Sequence, residues 1–254
     1  MNTTTSKNKP KLIAIAISHY CEKARWAMDY LEIDYLEEDH APPFHRQYTS
    51  QHGGTSVPVL ITENKAFTDS RDILHYLDRI SQDKKLYPED SELRNQVEAF
   101  EKLFDEKLGV AARTVGYYYA IQQPLKIAIA WGLKAPIIEK IKAILIFPKI
   151  PQKLKQLYKI NSDTKNAAMQ DIKEVFAVVD RELAAGQKYL VGDRITAGDL
   201  TFAALAAPIL RPPNHPFYDS RLSKLSPERA TSIAELRATP AGQLALRLYR
   251  ENRK

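Results

Sequence analysis

Residues 13–31 read IAIAISHYCEKARWAMDYL, a change of hydrophobic period within nineteen positions. The run KLIAIAI over 11–17 is short, continuous and rich in β-branched isoleucine, which predicts a strand buried on both faces. From Glu22 onward the apolar positions Ala24, Ala27, Met28 and Leu31 recur at helical spacing, with Glu22, Lys23, Arg25 and Glu32 on the other side. A helix with one buried stripe is expected. Between strand and helix stand Ser18, His19, Tyr20 and Cys21. This puts a hydroxyl, an imidazole, a phenol and the chain's only thiol where a helix N-terminus leaves N–H groups unpaired.

Working outward, IDYLEEDH over 33–40 reads as a second strand ending in charge. A loop with Pro42, Pro43, Gly53 and Gly54 leads to a third strand over Val57 to Thr62. Glu63-Asn64-Lys65 predicts a tight turn, because asparagine tolerates left-handed backbone, and Ala66-Phe67 begins a short partner strand. Ile73, Leu74, Leu77 and Ile80 mark a helix beginning after Ser70, which is positioned to cap it. The order β-α-β, loop, β-β-α predicts a compact α/β domain over 11–83. After DKKLYPED no strand pattern recurs. Val97, Phe100, Phe104 and Leu108, then Ala168, Ile172, Phe176 and Val179, then Leu200, Phe202, Ala203 and Leu205 keep helical spacing. The expected fold class is therefore α/β plus all-α, with a boundary within 82–92 and a helical domain over 92–254.

The 254 residues are 44% hydrophobic and 27% charged, ordinary for a globular protein with a proper core. The net charge of +6 is unevenly spread. Residues 1–85 carry eleven Lys and Arg against twelve Asp and Glu, whereas residues 117–165 hold nine Lys against two acidic residues. Charge confined to one segment argues against general nucleic-acid binding. A single cysteine makes no internal disulfide and fits a reducing compartment. Residues 1–10 are polar, without the apolar core of a secretory signal, and read as a flexible tail. No uncharged apolar run is long enough to cross a bilayer. A cytoplasmic protein is expected.

These features together resemble the cytosolic glutathione transferases. SHYCEKARWAMDYLEIDY is similar to that family's first helix with its active-site turn, and SVPVL to the Val-Pro entering its third strand. TDSRDILHYLD resembles its glutathione-gripping acidic-Ser pair, and YLVGDRITAGDLTFAAL the capping-box segment of a core helix. The likeness covers 11–83 and 171–210, and it implies a thioredoxin-like N-terminal domain, an all-helical C-terminal domain and a homodimer. It also implies glutathione as co-substrate with no metal, and a hydrophobic small molecule as the other substrate.

The resemblance implies a role for each matching residue. Pro58 is expected to be cis, presenting Val57 to the peptide backbone of glutathione, which pairs like an added strand. Asp69 and Ser70 are expected at the γ-glutamyl end, where a helix N-terminus favours a carboxylate. Ser18 stands at the position that faces the ligand's sulfur. A thiol titrates near 8.5, and lowering that by about two units takes about 2.7 kcal/mol, within reach of a charge-assisted hydrogen bond plus a helix N-terminus. Cys21, the second position of the same turn, is the alternative; as nucleophile it would give glutathione-dependent thiol transfer or reduction instead of conjugation. Ser18 as a plain N-cap and Cys21 as a small buried hydrophobe are the structural readings. The glycine carboxylate of the ligand has several possible partners, among them His45, Arg46, Gln47 and His52. Tyr20, Tyr117 and Tyr118 are expected near the second substrate. Thr196 and Asp199 predict a capping box with a folding role, and Trp26 a core or interface position.

Residues 117–165 depart from the family. Lys126, Lys134, Lys140, Lys142, Lys149, Lys153, Lys155 and Lys159 alternate with isoleucine and aromatic residues. Two long family helices, lengthened, with lysines in solvent, account for this. So does a peripheral membrane or protein contact, which would also suit a non-catalytic, transferase-like module, and so does a subunit interface.

Overall fold

The computed structural model describes residues 9–146 and 150–253. Most of the expected tail, and Lys149, lie outside them. The N-terminal half holds strand β1 (Lys11–Ala14), helix α1 (His19–Tyr30), β2 (Leu36–Asp39), a short α2 (His45–Thr49), β3 (Val59–Ile61), β4 (Ala66–Phe67) and α3 (Ser70–Ile80). The strands form one mixed sheet in the order β2-β1-β3-β4. β1 pairs parallel with β2, Leu12 opposite Glu37, and antiparallel with β3, Leu12 opposite Leu60. β3 and β4 form a hairpin whose turn closes with Thr62 N–H donating to the Lys65 carbonyl at 2.9 Å. Leu12, Ala14, Val59 and Leu60 are fully buried, as central strands require. The strands are shorter than the apolar runs suggest because the chain turns at Ile15 and opens only after Pro58, whose peptide bond with Val57 is cis, as is Pro42-Pro43.

Helix α1 differs from its one-stripe expectation. His19 and every residue from Cys21 to Met28 are buried, including Glu22, Lys23 and Arg25. Ion pairing makes this possible, because a buried charge persists only when paired and hydrogen-bonded. The Arg25 guanidinium donates to Glu37 on β2 and to the carbonyls of Ile15 and Ala16 at 3.2 and 3.1 Å, and it lies 3.2 Å from Asp39. Glu22 accepts from Arg253 near the C-terminus at 2.7 Å. Lys23 meets Glu101 at 3.2 Å and Asp105 at 2.9 Å.

Among its described residues the second half holds helices and no strand: α4 (Ser91–Leu103), a π-helical turn (Phe104–Leu108), α5 (Gly109–Ala120), α6 (Pro124–Trp131), α7 (Ile137–Ile146), α8 (Ile150–Leu157), α9 (Ser162–Leu183), α10 (Ala197–Leu210), α11 (Pro227–Ala238) and α12 (Pro240–Asn252). Prolines start α6, α11 and α12, where the missing N–H costs nothing. All fourteen residues of α10 are buried, the signature of a helix apolar on every side. Asp199 accepts from the N–H groups of Thr196 and Leu190, both at 2.9 Å, and burial lifts its carboxyl to about 6. Trp26 is buried against Tyr249 and donates to the Asn252 carbonyl at 3.2 Å.

Among the described residues of 121–161 the helices are the short α6, α7 and α8, not two lengthened ones. They are anchored to the sheet domain by the buried Glu139, which accepts from the Ala41 N–H at 2.9 Å and meets His40 at 2.8 Å, and by Lys134 with Glu37 at 3.0 Å.

The Lys23 cluster yields a direct test. Glu101 also accepts from the Tyr87 hydroxyl at 2.6 Å, so α1, α4 and the connection between the two halves meet on one carboxylate. Lys23→Ala strands Glu101 and Asp105, and we expect a loss of about 3–5 kcal/mol, or roughly 10 °C in melting temperature. Calorimetry checks this; a loss below about 1 kcal/mol, the scale of a surface ion pair, would mean the carboxylates find other partners.

Candidate functional site

The turn between β1 and α1 is tied by Ser18 N–H donating to the Ile15 carbonyl at 3.0 Å. Ser18 is extended (φ −73°, ψ 122°) and is the N-cap of α1, its Oγ accepting the Cys21 N–H at 3.3 Å. A hydroxyl that accepts a capping N–H still carries a proton to donate, so capping leaves Ser18 chemically available. Its side chain is half-buried at the wall of a cavity of about 510 Å³ between the two halves of the molecule, within the usual size for a small-molecule site.

Cys21 is different in kind. It is fully buried, and burial pushes its thiol up to about 11. Arg25 and the Ser18 hydroxyl work the other way without overcoming that desolvation. His19 is buried with its Nε2 2.9 Å from the Gly109 carbonyl, and burial lowers it to about 4. Tyr20 donates its hydroxyl proton to the Asp105 carbonyl at 2.7 Å, and burial raises the phenol to about 12. Its ring crosses α5 so closely that a Cβ on Gly109 would stand 2.4 Å from the Tyr20 oxygen. Among these four turn residues, Ser18 combines a half-exposed hydroxyl with a helix N-terminus.

The cavity gathers Ser18, Tyr20, His45, Val57 and Tyr117. Gln47, His52, Asp69, Ser70 and Tyr118 lie outside its lining. Tyr118 is turned away because α5 presents Ala112, Arg113, Gly116, Tyr117, Tyr119 and Ala120 over one side, and at about 100° per residue Tyr118 falls opposite the middle of that side. Its hydroxyl is instead 3.4 Å from the Ser162 Oγ. Ser70 is the first residue of α3 rather than its cap; the cap is Asp69, whose Oδ1 accepts the Arg71 N–H at 2.8 Å. Its own side chain gives Asp69 the capping role, and the following Ser70 is buried. His45 reaches the cavity with a buried, unpartnered Nδ1, and burial lowers it to about 4.

The far wall comes from residues that sequence reasoning missed: Arg113 on α5, Trp131 on α6, Tyr158, and the segment from Arg211 to Arg229. Tyr117 packs on Tyr158 at 5.3 Å and edge-on to Trp131 at 6.3 Å. The spacing of Arg113 and Tyr117, one helical turn apart beside the small Gly116, is the signal that could have found part of it. Among the described residues no group of three or more His, Cys, Asp or Glu side chains is placed to hold a metal ion.

The N-terminal domain model of the glutathione S-transferases matches residues 12–85 and the C-terminal domain model residues 136–215. The chain belongs to the glutathione S-transferase superfamily, with the thioredoxin-like and helical domains that define it. Its fold is similar to that of the β-etherase LigF from Sphingobium sp. strain SYK-6, with a TM-score of 0.63 at 18% identity over 94% of this chain and 99% of that one. It is also similar to transferases from Methylobacterium radiotolerans, in complex with glutathione sulfonate (TM-score 0.56, 18% identity, 94% of each chain), and from Methylobacillus flagellatus, with glutathione bound (TM-score 0.57, 17% identity, 93% and 98%). No curated protein sequence matches it.

The burial of Cys21 predicts its chemistry. In the native protein at neutral pH we expect no labelling by an aromatic disulfide reagent on the timescale in which the same thiol reacts fully in guanidinium chloride. Rapid labelling without denaturant would restore the thiol as a candidate nucleophile.

Proposed function

We propose that the protein conjugates glutathione to a hydrophobic electrophile, with Ser18 as the donor that holds the glutathione sulfur as a thiolate. The observation that carries this reading is the contrast within one turn: a half-exposed Ser18 hydroxyl on the cavity and a Cys21 thiol buried behind it and raised to about 11. Family membership and the glutathione-bound relatives support glutathione as co-substrate. In this reading Val57 pairs with the peptide, the γ-glutamyl end extends past the cavity lining to Asp69 and Ser70 at the start of α3, and His45 is the residue of the preceding loop that reaches the cavity. The sulfur loses its proton to solvent. Its lone pair then forms the carbon–sulfur bond as the acceptor's leaving group departs with its electron pair. Holding both partners in one cavity supplies the orientation.

Ser18→Ala removes one hydrogen bond to a charged sulfur, worth about 1.5–3 kcal/mol. With a model aryl halide, kcat/KM should fall by roughly 10- to 100-fold, and the rate should require a higher pH as the bound thiol returns toward its free value. Calorimetry should show glutathione binding retained. Full activity in Ser18→Ala, with activity lost in Cys21→Ala, would favour thiol transfer instead.

A specific observation supports a second role for 117–165. Ile137, Ile138, Ile141, Ile144 and Leu145 form one outward stripe on α7, with Ile137 72% and Leu145 73% exposed; Leu125 and Ile129 on α6 are exposed as well. Lys142 on α7 and Lys153 and Lys155 on α8 are exposed, without a carboxylate partner among the described residues. The one acidic residue of α7, Glu139, is turned inward. Exposed apolar residues on helices whose lysines have no carboxylate partner among the described residues fit an anionic bilayer surface, whereas a second copy would set lysines against lysines. No described helix is long and apolar enough to cross a membrane, so contact would be peripheral. The protein should sediment with phosphatidylserine-containing vesicles and not with phosphatidylcholine alone, and Ile138→Asp/Leu145→Asp should abolish this. Equal sedimentation with both, or with neither, would refute the role.

A further inference from the structure

The cavity wall opposite Ser18 carries more positive charge than its surroundings balance. Arg113, Arg211 and Arg229 all line it, and none forms an ion pair with a carboxylate among the described residues. Arg113 has a buried Nε without a hydrogen-bond partner and lies 5.1 Å from the Tyr158 ring. Arg229 lies over Tyr119 at 4.8 Å. Burial, together with neighbouring Arg211, lowers it to about 10, so the protein itself disfavours the charge it places there. Arg211 spends its Nε on the Asp219 carbonyl at 2.7 Å and lies over Tyr218 at 5.5 Å.

The acid nearest to hand does not answer these cations. The Asp219 carboxylate is already taken by Arg221, at 2.8 and 2.9 Å, and by Lys224 at 3.0 Å. Glu228, beside Arg229 in sequence, is held by Lys165 at 2.6 Å and by the Tyr119 hydroxyl at 3.2 Å. The backbone at Arg211 is left-handed (φ 49°, ψ 61°), uncommon for a non-glycine residue. Arg237 braces it by donating to the Leu210 and Arg211 carbonyls at 2.8 and 2.5 Å. Partly buried guanidinium groups without counter-charges are costly, and an anion entering the cavity removes that cost.

We infer that the second substrate is an aromatic acid, its ring received by Tyr117, Trp131 and Tyr158 and its anionic group by Arg211 and Arg229. Trp131 and Tyr158 supply flat apolar faces in the same cavity. Guanidinium groups match a carboxylate or sulfonate in planar, two-pronged fashion. This rests on the transferase reading only in assigning the other half of the cavity to glutathione.

Titration of the full chain with 2-naphthoate and with its neutral counterpart 2-naphthamide, with and without saturating glutathione, tests it. The carboxylate should bind at least about tenfold more tightly than the amide, the scale of charge-assisted hydrogen bonding. In Arg211→Gln/Arg229→Gln the preference should nearly vanish, and in Arg229→Lys it should persist in part. Equal affinities on the unaltered protein, a comparison that needs no variant, would overturn the inference. So would a preference that survives in a double variant whose circular dichroism and melting match the parent. A carboxylate preference without glutathione binding supports this pocket assignment while refuting the transferase reading. Glutathione binding without the preference overturns the assignment alone.

Discussion

The structure depends on one helix that carries charge into the core. Glu22, Lys23 and Arg25 are consecutive or nearly so on α1, yet they point to three different parts of the chain: Arg253 at the C-terminus, Glu101 and Asp105 in the helical half, and Glu37 and Asp39 on β2. Charges removed from water tolerate little displacement of their partners. Each pair therefore holds a different neighbour at a set distance from α1, and the three together hold the two halves of the molecule around it. The π-turn over 104–108 belongs to the same arrangement, for its Asp105 carbonyl accepts from Tyr20 while its carboxylate faces Lys23.

That fixed helix is also what gives its first turn a chemistry. Ser18 is the extended N-cap and Cys21 lies within the helix proper, and the first lines the cavity while the second is buried in the core. Both share the helix N-terminus, and the nearby Arg25 favours the thiolate of Cys21. Desolvation outweighs these local aids, and the same turn holds a half-exposed hydroxyl and a buried thiol pushed up to about 11. Proximity to a positive helix end does not activate a cysteine when the surrounding medium cannot support the charge.

The helices α6 to α8 bring two properties to the molecule at once. Their inner side closes the cavity with Trp131, while α7 leaves isoleucines in solvent. α6 contributes to both, with Ile127 and Trp131 inward and Leu125 and Ile129 outward. The segment is attached through Glu139 and Lys134, two polar links to the sheet domain.

Strand-to-helix changes of period, the Val-Pro dipeptide and the Thr196–Asp199 box were legible in the residues themselves, because each is a short-range pattern whose physics acts within one or two turns. From these alone follow the two-part fold, the turn that puts Ser18 at the start of α1 and the buried capping of α10. The rest required distances between residues remote in sequence. Nothing in the spacing of Glu22, Lys23 and Arg25 tells a solvated face from a buried one, since the partners that make burial tolerable come from positions up to 231 residues away. Nor could Arg113, Arg211 and Arg229 be seen as one wall, for they meet only when α5, the end of α10 and α11 converge. Periodicity reports which side of an element is apolar; only the packed chain decides what a charged side faces.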